Sequence, residues 1–172
     1  MLKNEQGMTL LELILMIVVL AVGLTGVLVY FIQGVKNSSN AQITSVATVL
    51  AQDLMEEIRS KCWDETATTV SPCNGAVTPS ATLGPNGGET RATYDDVDDF
   101  NGLNNTPPQN SQGGAMPAAF NNFTQTVAVC YVAAGALNTC SGGTSNYKRI
   151  AVTISWGSVG DNVQLVSVVT NH

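Results

Sequence analysis

The sequence predicts an α+β protein, with one long N-terminal helix, apolar in its first half and amphipathic in its second, packed on a C-terminal antiparallel sheet. Three observations predict it. Residues 8–32 carry a single charge, at Glu12. Residues 36–61 continue at a helical period without proline or glycine. Residues 124–132, 148–156 and 162–170 have strand composition, and in the second of them Ile150, Val152, Ile154 and Trp156 alternate with Arg149, Ala151, Thr153 and Ser155.

The run over 8–32 has 25 residues and no proline, where about 20 apolar residues cross a bilayer as a helix. It is apolar all round, which suits lipid or a protein interior rather than an amphipathic surface. A secretory signal peptide has a core of about 7–15 apolar residues followed by a small-residue cleavage site. Here the core is longer, and Gln33-Gly34-Val35-Lys36 offers no such site. The segment is expected to stay attached. A plain membrane anchor explains the hydrophobicity but not Glu12, because a carboxylate in hydrocarbon costs about 2.5–3.5 kcal/mol and usually has a partner. Gly23 and Gly26 interrupt the run, either for close helix packing or as a point where the helix can loosen.

In 36–61, Ile43, Val46, Ala47, Leu50, Leu54 and Ile58 form one apolar stripe. Asn37-Ser38-Ser39-Asn40 could cap a second helix, but one continuous helix from Met8 to Lys61 is the expectation, spanning roughly 80 Å. Asp53, Glu56 and Glu57 read as a solvated face.

Beyond the helix, residues 63–123 hold all six prolines and seven of the sixteen glycines, so an irregular stretch is expected, with one short strand at 89–94. The turn 157–162 leads into the last strand. Four cysteines, Cys62, Cys73, Cys130 and Cys140, follow the apolar segment. They lack the tight spacing and added histidines of zinc sites and suit disulfides in an oxidising compartment. Of the three connectivities, Cys62–Cys73 and Cys130–Cys140 close the shortest loops, and four buried free thiols are the alternative.

Seven Lys and Arg against thirteen Asp and Glu leave a net charge of −6, which argues against a nucleic-acid partner. The sole histidine, His172, supports no catalytic arrangement, so no enzymatic activity and no cofactor are expected. Asp95, Asp96, Asp98 and Asp99 form a dense acidic cluster near Asn101 and Asn104. The EF-hand spacing fails there, and a solvated acidic turn is expected, with calcium binding as the alternative.

The leader MLKNEQG and the following Gly7-Met8-Thr9-Leu10-Leu11-Glu12-Leu13 resemble the prepilin processing motif of type IV pilins and type II secretion pseudopilins. The resemblance implies four parts: a leader at 1–7, a transmembrane and filament-core helix at 8–35, its amphipathic continuation at 36–61, and a disulfide-containing head at 62–172. It implies cleavage between Gly7 and Met8 by a prepilin peptidase, N-methylation of Met8, and assembly through Glu12, fifth in the mature chain. Met8 departs from the usual phenylalanine. An amine at Met8 and a carboxylate at Glu12 of a neighbouring subunit would offset each other's desolvation in a dry helix bundle.

Trp63-Asp64-Glu65, the stretch 94–102 and Lys148-Arg149-Ile150 resemble minor pilins of mannose-sensitive haemagglutinin pili. The expected partners are other pilin subunits, the prepilin peptidase, an inner-membrane assembly platform and, before assembly, the membrane. The expected location is a single pass of the inner membrane with a periplasmic head, then the cell-surface pilus. Lys3 and the α-amine are the only cations on the short side, which sets that orientation. A minor pseudopilin of a type II secretion system and a membrane-tethered binding protein are the alternatives.

Overall fold

The computed structural model describes residues 9–64, 77–157 and 160–171. Helix α1 runs unbroken over Leu10–Arg59, through Asn37-Ser38-Ser39-Asn40. Three strands occupy the alternating segments: β2 (Phe123–Ala133), β4 (Tyr147–Trp156) and β5 (Asn162–Thr170). A two-residue strand β1 (Asn104–Asn105) and a five-residue strand β3 (Ala136–Cys140) complete the antiparallel sheet. Its order is β1-β2-β4-β5, with β3 paired to the end of β2. This is the α+β architecture that the residue patterns predict.

The chain forms two compact units, divided between Ile43 and Thr44. In the first, the large apolar side chains from Leu10 to Val35 are exposed, Leu11 at 77% and Phe31 at 67%. Thr25 Oγ1 donates to the carbonyl of Ala21 at 2.5 Å, which hides a hydroxyl on an otherwise apolar surface. By length and composition this stretch can cross a membrane.

In the second unit, Ala47, Leu50, Ala51, Leu54, Met55 and Ile58 bury one face of α1. The predicted stripe is rotated slightly: Val46 stays 40% exposed, and Ala51 and Met55 take places inside. On the sheet, the register pairs Val127 with Val152 and Val129 with Ile150, so these side chains share one buried face. Gln125 is buried among them. Its amide accepts from Gln109 N–H at 3.0 Å and donates to the Gln109 carbonyl, which offsets its desolvation.

Two expectations need correction here, and one strand was not expected at all. Residues 89–94 form turns rather than a strand, and Glu89 and Thr93 N–H groups donate to the carbonyls of Asn86 and Thr90. Glu57 does not lie on a solvated face. Its carboxylate receives both terminal nitrogens of the buried Arg91, at 2.6 and 2.5 Å, and the guanidinium lies 4.9 Å over the ring of Phe100. Strand β3 went unforeseen because all five of its residues are exposed and show no alternation to read. Its place is fixed instead by the turn at Ala134-Gly135 and by the Cys130–Cys140 disulfide across the hairpin. Cys62 is also disulfide-bonded, and Cys73 lies outside the described residues.

Candidate functional site

Two groups of residues concentrate the chemistry. The first opens α1. Gly7 and Met8 lie outside the described residues. Thr9 receives the Glu12 N–H on its carbonyl at 3.0 Å and on its hydroxyl at 3.4 Å. Thr9 and Glu12 thus have the spacing of a capping box, Thr-x-x-Glu, which the sequence reading did not use. Glu12 also places a negative charge at the positive end of the helix, worth about 0.3–1 kcal/mol at an exposed site. Local helix chemistry therefore gives Glu12 one role of its own, small in energy.

The second group is a buried charge cluster in the head. It is built where the end of α1 meets two distant segments. After Arg59 the chain leaves the helix, and Cys62 bridges in parallel to Asp96. Its N–H donates to the Asp95 carbonyl and its carbonyl accepts from Val97. This pairing sets Asp64 beside Asp96 and Asp98. Lys148, on the inward face of β4, then enters from the sheet.

The Lys148 ammonium is wholly buried and fully engaged. It donates to the Trp63 carbonyl at 2.6 Å, Asp64 Oδ2 at 3.0 Å and Asp98 Oδ1 at 2.5 Å. The ring of Trp63 lies 4.1 Å from it, a distance at which the π face attracts a cation. Asp64 also accepts from the Ser80 N–H and hydroxyl, and Tyr131 donates its hydroxyl to the Ser80 carbonyl. Three segments distant in sequence, 63–64, 94–102 and 148–150, thus meet at Asp64, Asp98 and Lys148.

The acidic stretch is therefore not a solvated turn: Asp96, Asp98 and Asp99 are completely buried, and Asp95 alone of the four is exposed. The reason lies in the backbone. Asp96 Oδ1 accepts from the N–H groups of Asp98 and Asp99, at 2.9 and 3.2 Å, and caps the short 3-10 turn Asp98–Phe100. Asp99 Oδ2 accepts from Asp95 and Asp96, at 2.9 and 3.1 Å. These carboxylates replace main-chain partners in a segment with little regular structure.

Titration follows from this packing. Burial pushes the Asp64 carboxyl up, but the hydrogen bonds from Ser80 and Lys148 outweigh it and hold the group below its ordinary value. Burial and the adjacent charge of Asp98 push Asp96 up to about 8. Asp98 is raised by burial, against the opposing pull of Lys148. Burial and the charge of Asp98 thus favour the protonated form of Asp96.

A group that holds its proton more tightly when folded stabilises the fold at low pH and loses that contribution as the pH rises. For Asp96 the contribution is complete below its ordinary value of 3.8 and is lost on rising through about 8. For Asp64 the sign is reversed, and its contribution fades as acid protonates the carboxylate below 3.8. The head should accordingly melt at a lower temperature at about pH 8 than at about pH 5, and Asp96→Asn should remove most of that decline. Thermal denaturation across this range checks it. A melting temperature that climbs steadily to pH 8 would contradict the assignment.

Of the four aspartates suggested as calcium ligands, Asp96 and Asp98 face the Lys148 cluster, while Asp95 and Asp99 come together with Glu89, which the sequence reading did not include. The chain matches no family model, no curated protein and no solved structure.

Proposed function

We propose that this chain is the precursor of a minor type IV pilin, cleaved after Gly7, held in the inner membrane by α1 and then drawn into an extracellular filament. One observation carries the reading: an exposed apolar helix surface with its single carboxylate, Glu12, in the first turn, directly after a polar leader ending in glycine. A surface this apolar requires lipid or protein around it. A filament offers both in sequence, first the membrane and then the packed helices of neighbouring subunits. In this reading the new amine of Met8 on a neighbour pairs with Glu12.

The head supports the same reading by its construction. Two of its cations are paired internally, Lys148 with Asp64 and Asp98 and Arg91 with Glu57. Its hairpin is closed by Cys130–Cys140, as suits a domain exposed outside the cytoplasm. Methylation of Met8, the prepilin peptidase, the assembly platform and fellow pilin subunits belong to this proposal.

Mass spectrometry of the membrane-extracted protein tests the processing step. The expected N-terminal peptide begins at Met8 and carries one methyl group. An intact Met1 terminus in cells with active peptidase would exclude the pilin reading. A Met8 terminus in a chain required for secretion of exoproteins, and absent from surface pili, would move the assignment to a secretion pseudopilin.

A further inference from the structure

Lys148 Nζ sits in a closed, dry compartment in contact with two carboxylates. The lysine is wholly buried, and so are Asp64, Asp96 and Asp98. Nζ lies 2.5 Å from Asp98 Oδ1 and 3.0 Å from Asp64 Oδ2. The rings of Trp63 and Tyr131 flank it, with centroids 4.1 and 5.7 Å away. The two carboxylates differ in their surroundings. Asp64 accepts from the Ser80 N–H and hydroxyl as well as from Lys148, which favours its ionised form. The Asp98 carboxyl instead meets Lys148 and the carboxyl of Asp96, and burial raises its affinity for a proton. A primary amine, a carboxyl that tends to neutrality and an ionised carboxylate are therefore in contact, shielded from water.

We propose that Lys148 and Asp98 condense to an intramolecular amide, a covalent cross-link between β4 and the 3-10 turn Asp98–Phe100. In water an ammonium and a carboxylate do not condense, because both are charged and water is in excess. The compartment removes both obstacles. The ammonium passes one proton along the 2.5 Å contact to Asp98, giving an amine and a carboxylic acid, and a dry enclosure favours this uncharged pair. The amine attacks the carboxyl carbon, one bond beyond Oδ1, and the N–C bond forms. Asp64 takes a second proton from the nitrogen, as a general base. The Asp96 carboxyl, hydrogen-bonded to that of Asp98, steadies the oxyanion. The centre then collapses: a C–O bond breaks, and the proton on Asp64 goes to the departing hydroxyl. The products are one amide and one water, made from two ammonium hydrogens and one carboxylate oxygen. Fixing the reactants in contact is worth an effective concentration of about 10⁵–10⁸ M. Asp64 is the poorer acceptor, since an ionised carboxylate resists a nucleophile. Until the bond forms, these groups remain an ion-paired cluster. The inference stands independently of any filament role.

The test is peptide mapping by mass spectrometry of the full-length chain, purified in detergent, then reduced, denatured and digested with trypsin. Trypsin cuts after lysine and arginine, and between Arg91 and Arg149 the one such position is Lys148. An amide on Lys148 blocks that cut. The expected product is therefore peptide 92–149, lighter than its sequence by one water, with fragment ions that join Asp98 to Lys148. Lys148→Arg keeps the positive charge but has no primary amine, so it should restore the full mass and the cut after position 148. Asp64→Asn can still accept from Ser80 but is no base, and it should slow formation by about a hundredfold, followed as the joined fraction against time after synthesis. The map of the unmodified chain decides the main point even where a variant fails to fold. Complete cutting after Lys148 at full mass would overturn the proposal. Linkage of Lys148 to peptide 62–91, which carries Asp64, would overturn the choice of Asp98. An unchanged rate in Asp64→Asn would overturn the role of Asp64 as base.

Discussion

Lys148→Met should cost the head about 3–5 kcal/mol, the typical penalty for removing one partner of a buried ion pair. The ammonium meets two carboxylates and a carbonyl, all shielded from water, and methionine replaces its length without its charge. Asp64 and Asp98 would then face each other without a counter-ion in a low dielectric. For a domain of this size, the melting temperature should fall by about 10–20 °C. The cluster itself is not thereby a large source of stability, because desolvating three charges consumes most of what their attraction returns. Adding Asp64→Asn and Asp98→Asn to Lys148→Met should therefore restore much of the loss. The asparagine at 64 could still accept from Ser80. Thermal melts of the single and triple variants at neutral pH check both statements. A loss below about 1 kcal/mol in the single variant would show that the ammonium contributes no more than a surface charge.

The position of Lys148 was within reach of the sequence. Carrying the alternation Ile150, Val152, Ile154 back by two residues places Lys148 on the same inward face. A lysine there must find an anion, and the acidic stretch after Tyr94 supplies one. What the alternation could not give was which aspartates would come, since that depends on the bridge between Cys62 and Asp96, a contact across 34 positions without periodic pattern. The long helix and the three longer strands were legible because each repeats a period over nine residues or more. β1 and β3 were not, one being two residues long and the other wholly exposed. The irregular stretch before β2 follows side-chain-to-backbone hydrogen bonds, such as those of Asp96 and Asp99, and these leave only the Asp-rich composition as a trace. Glu12 was legible as an anomaly, a single carboxylate in an apolar run.

The second large effect is expected at Glu12. Within the helix its contribution is small, about 0.3–1 kcal/mol from the first-turn charge, beside the bond that its N–H donates to the Thr9 hydroxyl. As the partner of a neighbour's Met8 amine in a dry bundle, its loss would instead leave a buried charge unpaired, at about 3–5 kcal/mol. Glu12→Ala should then reduce incorporation into filaments more than a hundredfold while sparing membrane insertion, which becomes easier without the buried carboxylate. Glu12→Gln separates the two roles. Glutamine can fill the third helical position of a capping box but carries no charge, so it should preserve the helix start and fail in assembly as alanine does.

The amount of this chain in filaments sheared from the cell surface, set against its amount in membranes, tests the filament assignment most directly. The unmodified chain should be present in the sheared fraction, with Glu12→Ala and Glu12→Gln both depleted more than about a hundredfold at equal membrane levels. Absence of the unmodified chain from sheared filaments would contradict the pilus reading. Normal incorporation of the glutamine variant would show that Glu12 only starts the helix.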